Sequence, residues 1–266
     1  MCLPAGPGSI GSGDTQGAHM ISTSTPHDRG QDWPPVPEQE HRPLHEAVLT
    51  ALEPLDGRRL LDVGCGVGLF LRAAQRRGAL VAGTDTATAR LEIARWALPD
   101  ADLRVTDPGD ALPFDNGTFD VVTARTAGGG AVLTELARVV RPGGLVAVGG
   151  WVRPAGCWAE TFADHLRRLS LLPPPTSTDD LDGPLRAAGL TVRGGADVRF
   201  TASYPNHGAA WTAMCGCEDM LRAIRLVGEA PVRAAFADSV AANVAEDGTV
   251  RLPKTYRYAV AATPPR

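Results

Sequence analysis

The sequence predicts an α/β protein built on a doubly wound, mostly parallel β-sheet. Three observations support this prediction. Short apolar segments alternate with amphipathic segments from residue 58 onward, as expected for buried parallel strands that are joined by helices. Several of the apolar segments end in aspartate, and the first one continues into a turn with glycines at positions 64, 66 and 68. Ligands of such sheets bind at the carboxyl ends of the strands, so the aspartates and the glycine turn are expected to meet there.

The first half of the chain supplies five predicted strands and the helices between them. The strands are expected at residues 58–63, 80–84, 103–106, 119–124 and 145–149. Helices are expected where apolar residues recur at helical spacing, at 38–55, 69–77, 86–98 and 132–140. Gly78 and Pro99 end the second and third helices, and Pro142, Gly143 and Gly144 form a turn into the fifth strand.

The second half continues the sheet and adds a helical insertion. Helices are expected at 157–171 and 179–188, a sixth strand at 190–192 that extends towards residue 200, and a seventh strand at 256–262. Helical periodicity also covers 207–227 and 232–244, between these two strands. The prediction is therefore a seven-stranded sheet with a helical insertion at 203–253. The insertion leaves the sheet on the side of the glycine turn, where it is expected to form a lid or substrate pocket.

Composition excludes several classes of protein. The net charge of −4 and the pI of about 5.9 argue against a nucleic-acid binder or a protein of anionic membrane surfaces. No apolar stretch approaches the roughly 18 residues that a membrane span requires. Residues 1–37 are rich in Gly, Ser, Thr and Pro and have no signal-peptide pattern, so a flexible leader is expected before a domain at 38–266.

The five cysteines are odd in number and scattered, which does not indicate a disulfide framework and favours the reducing cytoplasm. Cys215 and Cys217, with His207 upstream, resemble half of a metal site. A second pair of ligands is missing from the sequence, so no metal is expected.

The glycine turn and the acids after the strands indicate a ligand. Glycine allows positive φ angles and a close approach of ligand to backbone, and the helix that follows directs its free N–H groups into the turn. The G-x-G-x-G spacing differs from the G-x-G-x-x-G dinucleotide fingerprint. Asp85, at the end of the second strand, is placed to bind a ribose diol. Asp107, after the third strand, is placed to accept from an adenine amino group, with Asp110 as a competing candidate.

Four ordered motifs resemble those of class I S-adenosylmethionine-dependent methyltransferases. The first is Leu-Asp-Val-Gly-Cys-Gly-Val-Gly at 61–68, and the second is Asp85 after the second predicted strand. The others are Leu-Pro-Phe-Asp-Asn-Gly-Thr-Phe-Asp-Val-Val at 112–122 and Glu-Leu-Ala-Arg-Val-Val-Arg-Pro-Gly-Gly at 135–144. Together they are similar to the small-molecule branch related to ubiquinone and menaquinone methyltransferases. The resemblance implies a Rossmann-like fold, S-adenosylmethionine as cofactor and S-adenosylhomocysteine as product.

The resemblance also implies cofactor-binding roles for ten positions: Asp62, Gly64, Cys65, Gly66, Gly68, Asp85, Thr86, Asp107, Pro108 and Arg125. Asp62 is expected to orient the glycine turn, whose backbone approaches the methionine moiety, and Asp85 to hold the ribose hydroxyls. Thr86 is expected beside the adenine, with Asp107 and Pro108 at the adenine edge. The stretch before Leu-Pro-Phe is about one residue longer than the family pattern, so the choice between Asp107 and Asp110 stays open. Arg125 is cationic and is expected to face an anionic part of the substrate or of methionine.

Methyl transfer from a sulfonium depends mainly on placing the acceptor in line, and a general base helps when the acceptor is a hydroxyl or an amine. Candidate bases are His165 and His207, and the predicted first helix adds His41 and His45. Three tryptophans are candidates for the wall of the pocket, with packing in the core as the default alternative: Trp151, Trp158 and Trp211.

The leading hypothesis is a cytoplasmic methyltransferase that acts on a small molecule in bacterial secondary metabolism. An alternative is a cofactor-binding fold that does not methylate, such as a cyclase or a regulatory protein. A nicotinamide-dependent oxidoreductase is disfavoured by the glycine spacing. A nucleic-acid methyltransferase is disfavoured because residues 123–126 read Thr-Ala-Arg-Thr, not the Asp/Asn-Pro-Pro-aromatic run of such enzymes. The sequence leaves open the acceptor atom and the oligomeric state.

Overall fold

The computed structural model describes residues 38–107, 110–125, 129–170, 180–215 and 218–265. The predicted leader at 1–37 lies outside these ranges. The helices are α1 (Glu38–Ala51), α2 (Leu69–Gln75), α3 (Thr88–Ala97), α4 (Gly130–Val139), α5 (Trp158–Ser170), α6 (Asp182–Ala187), α7 (His207–Met214), α8 (Glu218–Val227) and α9 (Glu229–Val240). The strands are β1 (Arg59–Val63), β2 (Leu80–Asp85), β3 (Asp102–Val105), β4 (Phe119–Ala124), β5 (Val140–Val152), β6 (Thr191–Tyr204) and β7 (Val250–Ala262).

The strands form one seven-stranded sheet in the order β3-β2-β1-β4-β5-β7-β6. Neighbours from β3 to β5 are parallel, whereas β7 runs antiparallel to both β5 and β6. The prediction of a doubly wound, mostly parallel sheet is therefore confirmed. The strand order reverses between β1 and β4, and ligands of open α/β sheets bind at the carboxyl ends of strands at such a switch point.

Strand β1 is the centre of the fold because its side chains enter the core on both faces of the sheet. Leu60 and Leu61 are completely buried and, as neighbours in a strand, point to opposite faces. Leu60 belongs to a cluster that contains residues of α1, α2 and α3. Leu61 belongs to a second cluster, which is formed with residues of α4 and α6. Coverage on both faces explains why the parallel strands are continuously apolar.

Three strands are longer than the sequence predicts. Strand β5 begins at Val140, not at residue 145, so the predicted Pro142-Gly143-Gly144 turn lies within the strand. Strand β6 continues to Tyr204 and β7 already begins at Val250, so they pair over most of their length. The stretch of β6 from Arg193 to Arg199 contains exposed glycine, arginine and aspartate, so the apolar pattern is weak in the middle of the strand. Pairing with β7 holds β6 as a strand over its whole length. The periodicity of a short stretch of sequence does not reveal pairing with a segment far along the chain.

The segment between β6 and β7 is helical, as predicted. Helices α7, α8 and α9 follow one another and end in a short 3-10 turn at Ala241–Asn243. The Asn206 side chain accepts a hydrogen bond from the Ala209 amide at 2.9 Å and so caps α7. Together with α5 these helices enclose a third apolar cluster, whose large members are Trp158, Phe162, Trp211 and Phe236. Within the part of the chain that is described, no helix has the length and apolar character to cross a bilayer.

Gly149→Ala is expected to destabilise the protein by about 1–3 kcal/mol, because overpacking against a rigid neighbour cannot be relieved. A Cβ at Gly149 would lie 2.4 Å from Tyr256 Cε1 and 2.5 Å from the Arg257 carbonyl oxygen, which is backbone. Urea unfolding measures the change. Gly130→Ala is the matched control, since a Cβ there meets no atom of the described residues within 4 Å. Equal stability of the two variants would contradict the expectation.

Candidate functional site

The candidate site begins at the glycine turn between β1 and α2, at the switch point of the sheet. Gly64, Gly66 and Gly68 have φ angles of 79°, 57° and 81°, the left-handed region that favours glycine. Among the described residues, a Cβ built on Gly64 or Gly66 meets no atom within 4 Å, whereas one on Gly68 lies 3.0 Å from Leu98 Cδ1. The first two glycines therefore border open space, and the third packs against the region of α3. A ligand can approach the backbone at the first two positions.

Strand β2 holds the turn in place. The Gly64 and Cys65 amides both donate to the Thr84 carbonyl, at 2.8 and 2.9 Å. The Cys65 side chain packs over Gly83, where a Cβ would lie 2.7 Å from its Sγ. Burial raises the pKa of the Cys65 thiol to about 12. The Cys65 side chain therefore packs in the core, which leaves the backbone of this residue to make the predicted contact with the cofactor.

Asp85, at the end of β2, connects three parts of the site. Its Oδ2 accepts from the Gly66 amide at 2.9 Å. Its Oδ1 accepts from the Ala87 amide at 2.9 Å and from Arg90 Nε and Nη2 at 3.0 and 2.7 Å. The carboxylate is buried, and these donors satisfy it. An ionised carboxylate has about four acceptor directions, so Oδ2 keeps capacity for a ribose hydroxyl. Sequence reasoning missed Arg90, for which the only signal was a basic residue early in the predicted helix.

Asp62, at the end of β1, is held by the neighbouring strand. The Thr123 hydroxyl donates to Asp62 Oδ1 at 2.6 Å. Burial raises the pKa of Asp62 to about 6, although the Thr123 hydrogen bond and the charge of Arg125 act in the opposite direction. The sequence predicts that Asp62 orients the glycine turn, whereas the hydrogen bond found here connects it to β4. The turn amides donate to Thr84 instead.

Arg125 follows β4 and is exposed. Its carbonyl accepts from the Tyr256 hydroxyl at 2.5 Å, which ties the end of β4 to β7. The charge of Arg125 acts on the pKa values of Asp62, His45 and Tyr256, so its guanidinium lies among these groups. Burial raises the pKa of Tyr256, which keeps this phenol neutral. The sequence offered no signal for Tyr256 beyond its place in the last strand.

Helix α1 brings His41 and His45 towards the glycine turn. The two imidazole rings lie 6.3 Å apart. The His45 ring lies 5.4 Å from that of Phe70, the second residue of α2, and His41 lies 5.8 Å from Trp151 at the end of β5. Burial, followed by the charges of His41, Arg125 and Arg76, lowers the pKa of His45 to about 4. His45 is therefore neutral at physiological pH.

The two other predicted bases lie in the helical cluster. His165 on α5 places Nδ1 3.1 Å from the Ser239 hydroxyl, which donates to the Ala235 carbonyl at 2.7 Å. The ring of His207 lies 5.3 Å from that of Phe236, and its buried Nε2 has no hydrogen-bond partner among the described residues. Their recorded contacts are with α9. Their catalytic role stays a prediction.

The predicted adenine edge lies at the ends of β2 and β3. Thr86, Asp107 and Asp110 are all exposed there, while Pro108 lies outside the described residues. The Asp110 amide donates to the Asp107 carbonyl at 3.2 Å, so both aspartates belong to one turn. The sequence did not single out Thr106, whose buried hydroxyl has no hydrogen-bond partner in the described part of the chain. The choice between Asp107 and Asp110 stays open.

No group of three or more His, Cys, Asp or Glu side chains with metal-binding geometry occurs in the described ranges. Cys217, part of the half-site considered from the sequence, lies outside them, and Cys215 is a buried free thiol.

Two surface hollows lie elsewhere. One, of about 360 Å³, is lined by residues such as Asn116, Arg138 and Gly189, at the amino ends of β4, β5 and β6. The other, of about 620 Å³, lies against α6 and the middle of β6, beside Arg186 and Asp197. The first is at the wrong end of the strands for a ligand of this fold, and the second is not beside the glycine turn.

Comparison with known proteins agrees with the geometry. Residues 61–148 match the model of a methyltransferase domain family. The ubiquinone biosynthesis O-methyltransferase of Alkalilimnicola ehrlichii is 34% identical over 180 residues, which cover 59% of this chain and 73% of that protein. The protein of the same name from Paracidovorax citrulli is 37% identical over 125 residues, which cover 41% of this chain and 52% of the relative. The chain therefore spans about half the length of this second relative.

The same fold occurs in solved structures. The crystal structure of the YcgJ protein from Bacillus subtilis aligns with a TM-score of 0.57 at 16% identity, over 84% of this chain and 98% of that one. This likeness concerns the fold alone. The predicted resemblance is confirmed by the family model and by the relative from A. ehrlichii, which matches over 73% of its length. The chain belongs to the class I methyltransferase family, whose cofactor is S-adenosylmethionine.

Proposed function

We propose that this protein transfers the methyl group of S-adenosylmethionine to an oxygen atom of a small-molecule acceptor. The observation that carries the proposal is the glycine turn, which borders open space at Gly64 and Gly66 and is hydrogen-bonded to β2 and Asp85. The names of the relatives, which are O-methyltransferases of ubiquinone biosynthesis, support oxygen as the acceptor atom. A place in bacterial secondary metabolism and a cytoplasmic location stay predictions.

The side chains around the turn fit this cofactor. The backbone at Gly64 and Gly66 would lie against the methionine part, Asp85 would accept from the ribose, and the exposed Arg125 would pair with the methionine carboxylate. When bound, the cofactor supplies a methyl group activated by a sulfonium. Asp62 is buried beside the turn, and its ionised form places negative charge near a cationic ligand. The protein's own task is to hold the acceptor in line and to exclude water.

An acceptor hydroxyl also needs somewhere for its proton to go. His45 is neutral and lies beside the first turn of α2, so it is available to accept a hydrogen bond from the hydroxyl. Its pKa of about 4 makes it a weak base, but the hydroxyl proton becomes strongly acidic as the oxygen is methylated, so this imidazole can then accept it. His41 lies next to it and contacts Trp151. The geometry around α1 therefore favours the His41–His45 pair over His165 and His207 as the proton acceptor. His165 and His207 make their described contacts within the helical cluster.

The proposal is tested by incubating the protein with methyl-labelled S-adenosylmethionine and a panel of hydroxylated small molecules. We expect transfer of label to an acceptor together with formation of S-adenosylhomocysteine. Calorimetry with S-adenosylhomocysteine is the first step, and absence of binding would overturn the proposal. Binding without label transfer to any acceptor would favour the non-methylating alternative.

Asp85→Asn is expected to weaken binding of S-adenosylhomocysteine by at least about tenfold, because hydrogen bonds to a buried charged group are lost. Titration calorimetry measures the affinity, and circular dichroism checks that the variant is folded. Asp102→Asn is the matched control, since this carboxylate pairs with Arg104 on the surface at the start of β3. The expectation fails if both variants bind the product equally well.

Asp62→Asn is expected to stabilise the protein as the pH rises. The pKa of Asp62 is about 6 in the folded protein, against the ordinary value of 3.8 expected in the unfolded chain, so ionisation costs stability between these values and the full cost remains above them. The difference corresponds to roughly 3 kcal/mol, which asparagine removes while its carbonyl still accepts from Thr123. Urea unfolding from about pH 4 to about pH 8 should show a gain that grows with pH and then levels off.

Asp197→Asn is a control for which the opposite effect on stability is expected. Its hydrogen bonds to Arg257 lower the pKa of Asp197, so its ionised form is stabilising at neutral pH. The Asn variant should lose stability there. A pH-independent effect of Asp62→Asn would show that burial does not shift the pKa of this carboxyl.

His45→Gln is expected to slow methyl transfer by about 10²-fold and to leave the affinity for S-adenosylhomocysteine unchanged, as for loss of a proton acceptor. Rates are measured at saturating cofactor with an acceptor found in the labelling assay. His165→Gln and His207→Gln are the comparison variants. If these two variants lose rate and His45→Gln does not, the proton acceptor lies in the helical cluster and not on α1.

A further inference from the structure

The carboxylate at the end of β2 is paired with an arginine, Arg90. This residue is the third of α3 and lies in the first turn of that helix. A cation is disfavoured there, because the N-terminal end of a helix carries a partial positive charge. Arg90 extends to the Asp85 carboxylate, to which its Nε and Nη2 donate at 3.0 and 2.7 Å. The ion pair with Asp85 therefore compensates for an unfavourable place in the helix.

The donors around Asp85 are unequally divided between its two oxygens. Oδ1 accepts from the Ala87 amide at 2.9 Å and from both of the Arg90 nitrogens. Oδ2 accepts from the Gly66 amide at 2.9 Å. A carboxylate oxygen has about two lone-pair directions, so Oδ1 has none left and Oδ2 has one. Asp85 can therefore accept from one further hydroxyl, on the side of the glycine turn.

A ribose presents two neighbouring hydroxyls, and the second one needs a different partner. An arginine carries about five N–H groups, of which Arg90 uses two for Asp85 Oδ1. The remaining N–H groups of Arg90 have no partner within the described residues. A guanidinium donates and never accepts, so a hydroxyl beside it binds through its oxygen.

The exposure of the two side chains indicates that a ligand of Asp85 also meets Arg90. The Asp85 side chain is 5% exposed, whereas that of Arg90 is 47% exposed. Most of the accessible surface of the ion pair therefore belongs to the guanidinium. On the other side of Oδ2, a Cβ on Gly66 meets no atom of the described residues within 4 Å. The ion pair thus offers an acceptor beside the glycine turn and donors beside α3.

We propose that Asp85 and Arg90 bind the ribose of S-adenosylmethionine as an acceptor–donor pair. One hydroxyl donates to Asp85 Oδ2, and the neighbouring hydroxyl accepts from an N–H group of Arg90. This inference rests on the ribose contact that the proposed function gives to Asp85. Arg90 is then a cofactor-binding residue that determines specificity, because it can bind an ether oxygen at a position where a carboxylate would require a hydroxyl.

The test compares the affinities of S-adenosylhomocysteine, its 2′-deoxy and 3′-deoxy analogues, and its 2′-O-methyl and 3′-O-methyl ethers, by calorimetry. A methyl ether keeps the acceptor and removes the donor, whereas a deoxy analogue removes both. At the position facing Arg90, the ether should bind about tenfold more tightly than the deoxy analogue, as for a hydrogen bond to a charged group. At the position facing Asp85, both should bind at least about tenfold more weakly than S-adenosylhomocysteine.

Arg90→Met should remove the advantage of the ether over the deoxy analogue, because the ether oxygen loses its donor. Arg90→Lys should keep it, since an ammonium also donates. Arg95→Met is the matched control, because Arg95 lies on the same helix but its Nη2 donates to the Leu103 carbonyl of β3 at 2.9 Å. This variant should keep the order of affinities of the unaltered protein. Circular dichroism checks that each variant is folded.

The inference is wrong if neither ether binds better than the corresponding deoxy analogue, since both hydroxyls would then act as donors. Survival of the advantage in Arg90→Met would also overturn it. Failure of the proposed function has a different signature. If the unaltered protein does not bind S-adenosylhomocysteine, the proposed function falls and this inference falls with it. The expected order of affinities without any methyl transfer would contradict the proposed function and leave the role of Arg90 standing.

Discussion

The hydrogen bond from the Gly66 amide to the Asp85 carboxylate is the contact on which the site depends. The turn after β1 has positive φ angles at three positions, and its amides require partners from the neighbouring strand. Thr84 and Asp85 provide them, because β1 and β2 pair in parallel and end side by side. The buried carboxylate is in turn satisfied by Ala87 and Arg90, so the same group also positions the start of α3. The contacts that hold the glycine turn are therefore the same ones that position α3 against the sheet.

Burial gives the ionisable groups near the turn a shared property. It raises the pKa of Asp62 to about 6 and lowers that of His45 to about 4, which shifts each group towards its uncharged form. At neutral pH His45 is uncharged, whereas Asp62 is still mainly ionised. Arg125 remains exposed among them as a fixed positive charge. A cationic cofactor beside this arginine needs compensation, and ionised Asp62 supplies it close to the turn. The neutral imidazole of His45 is the complementary feature, since a protonated histidine would add repulsion and lose its acceptor nitrogen.

Much of the fold follows from local pattern, and the departures have a common cause. Strand β4 ends where the sequence predicts, and the glycine turn and Asp85 meet as expected, because strand-end residues of a parallel sheet share one edge. The full lengths of β6 and β7 were missed because the exposed residues from Arg193 to Arg199 interrupt the apolar pattern of β6, and its pairing with β7 joins segments that are far apart in the chain. Arg90, Thr106 and Tyr256 were missed for a related reason. The sequence around an arginine in a helix, or around a tyrosine in the last strand, does not indicate which residues that side chain contacts.

The sequence by itself determined the strand–helix alternation, the glycine turn and the family to which the chain belongs, because short motifs with their own backbone requirements encode these features. The tertiary structure decided which side chains surround the turn. Candidate bases on α1, on α5 and in the insertion look equivalent in the sequence. Among these four histidines, it is His45 that contacts Phe70 and His41 that contacts Trp151 beside the turn. Such proximity arises from packing of segments far apart in the chain, which no local pattern records.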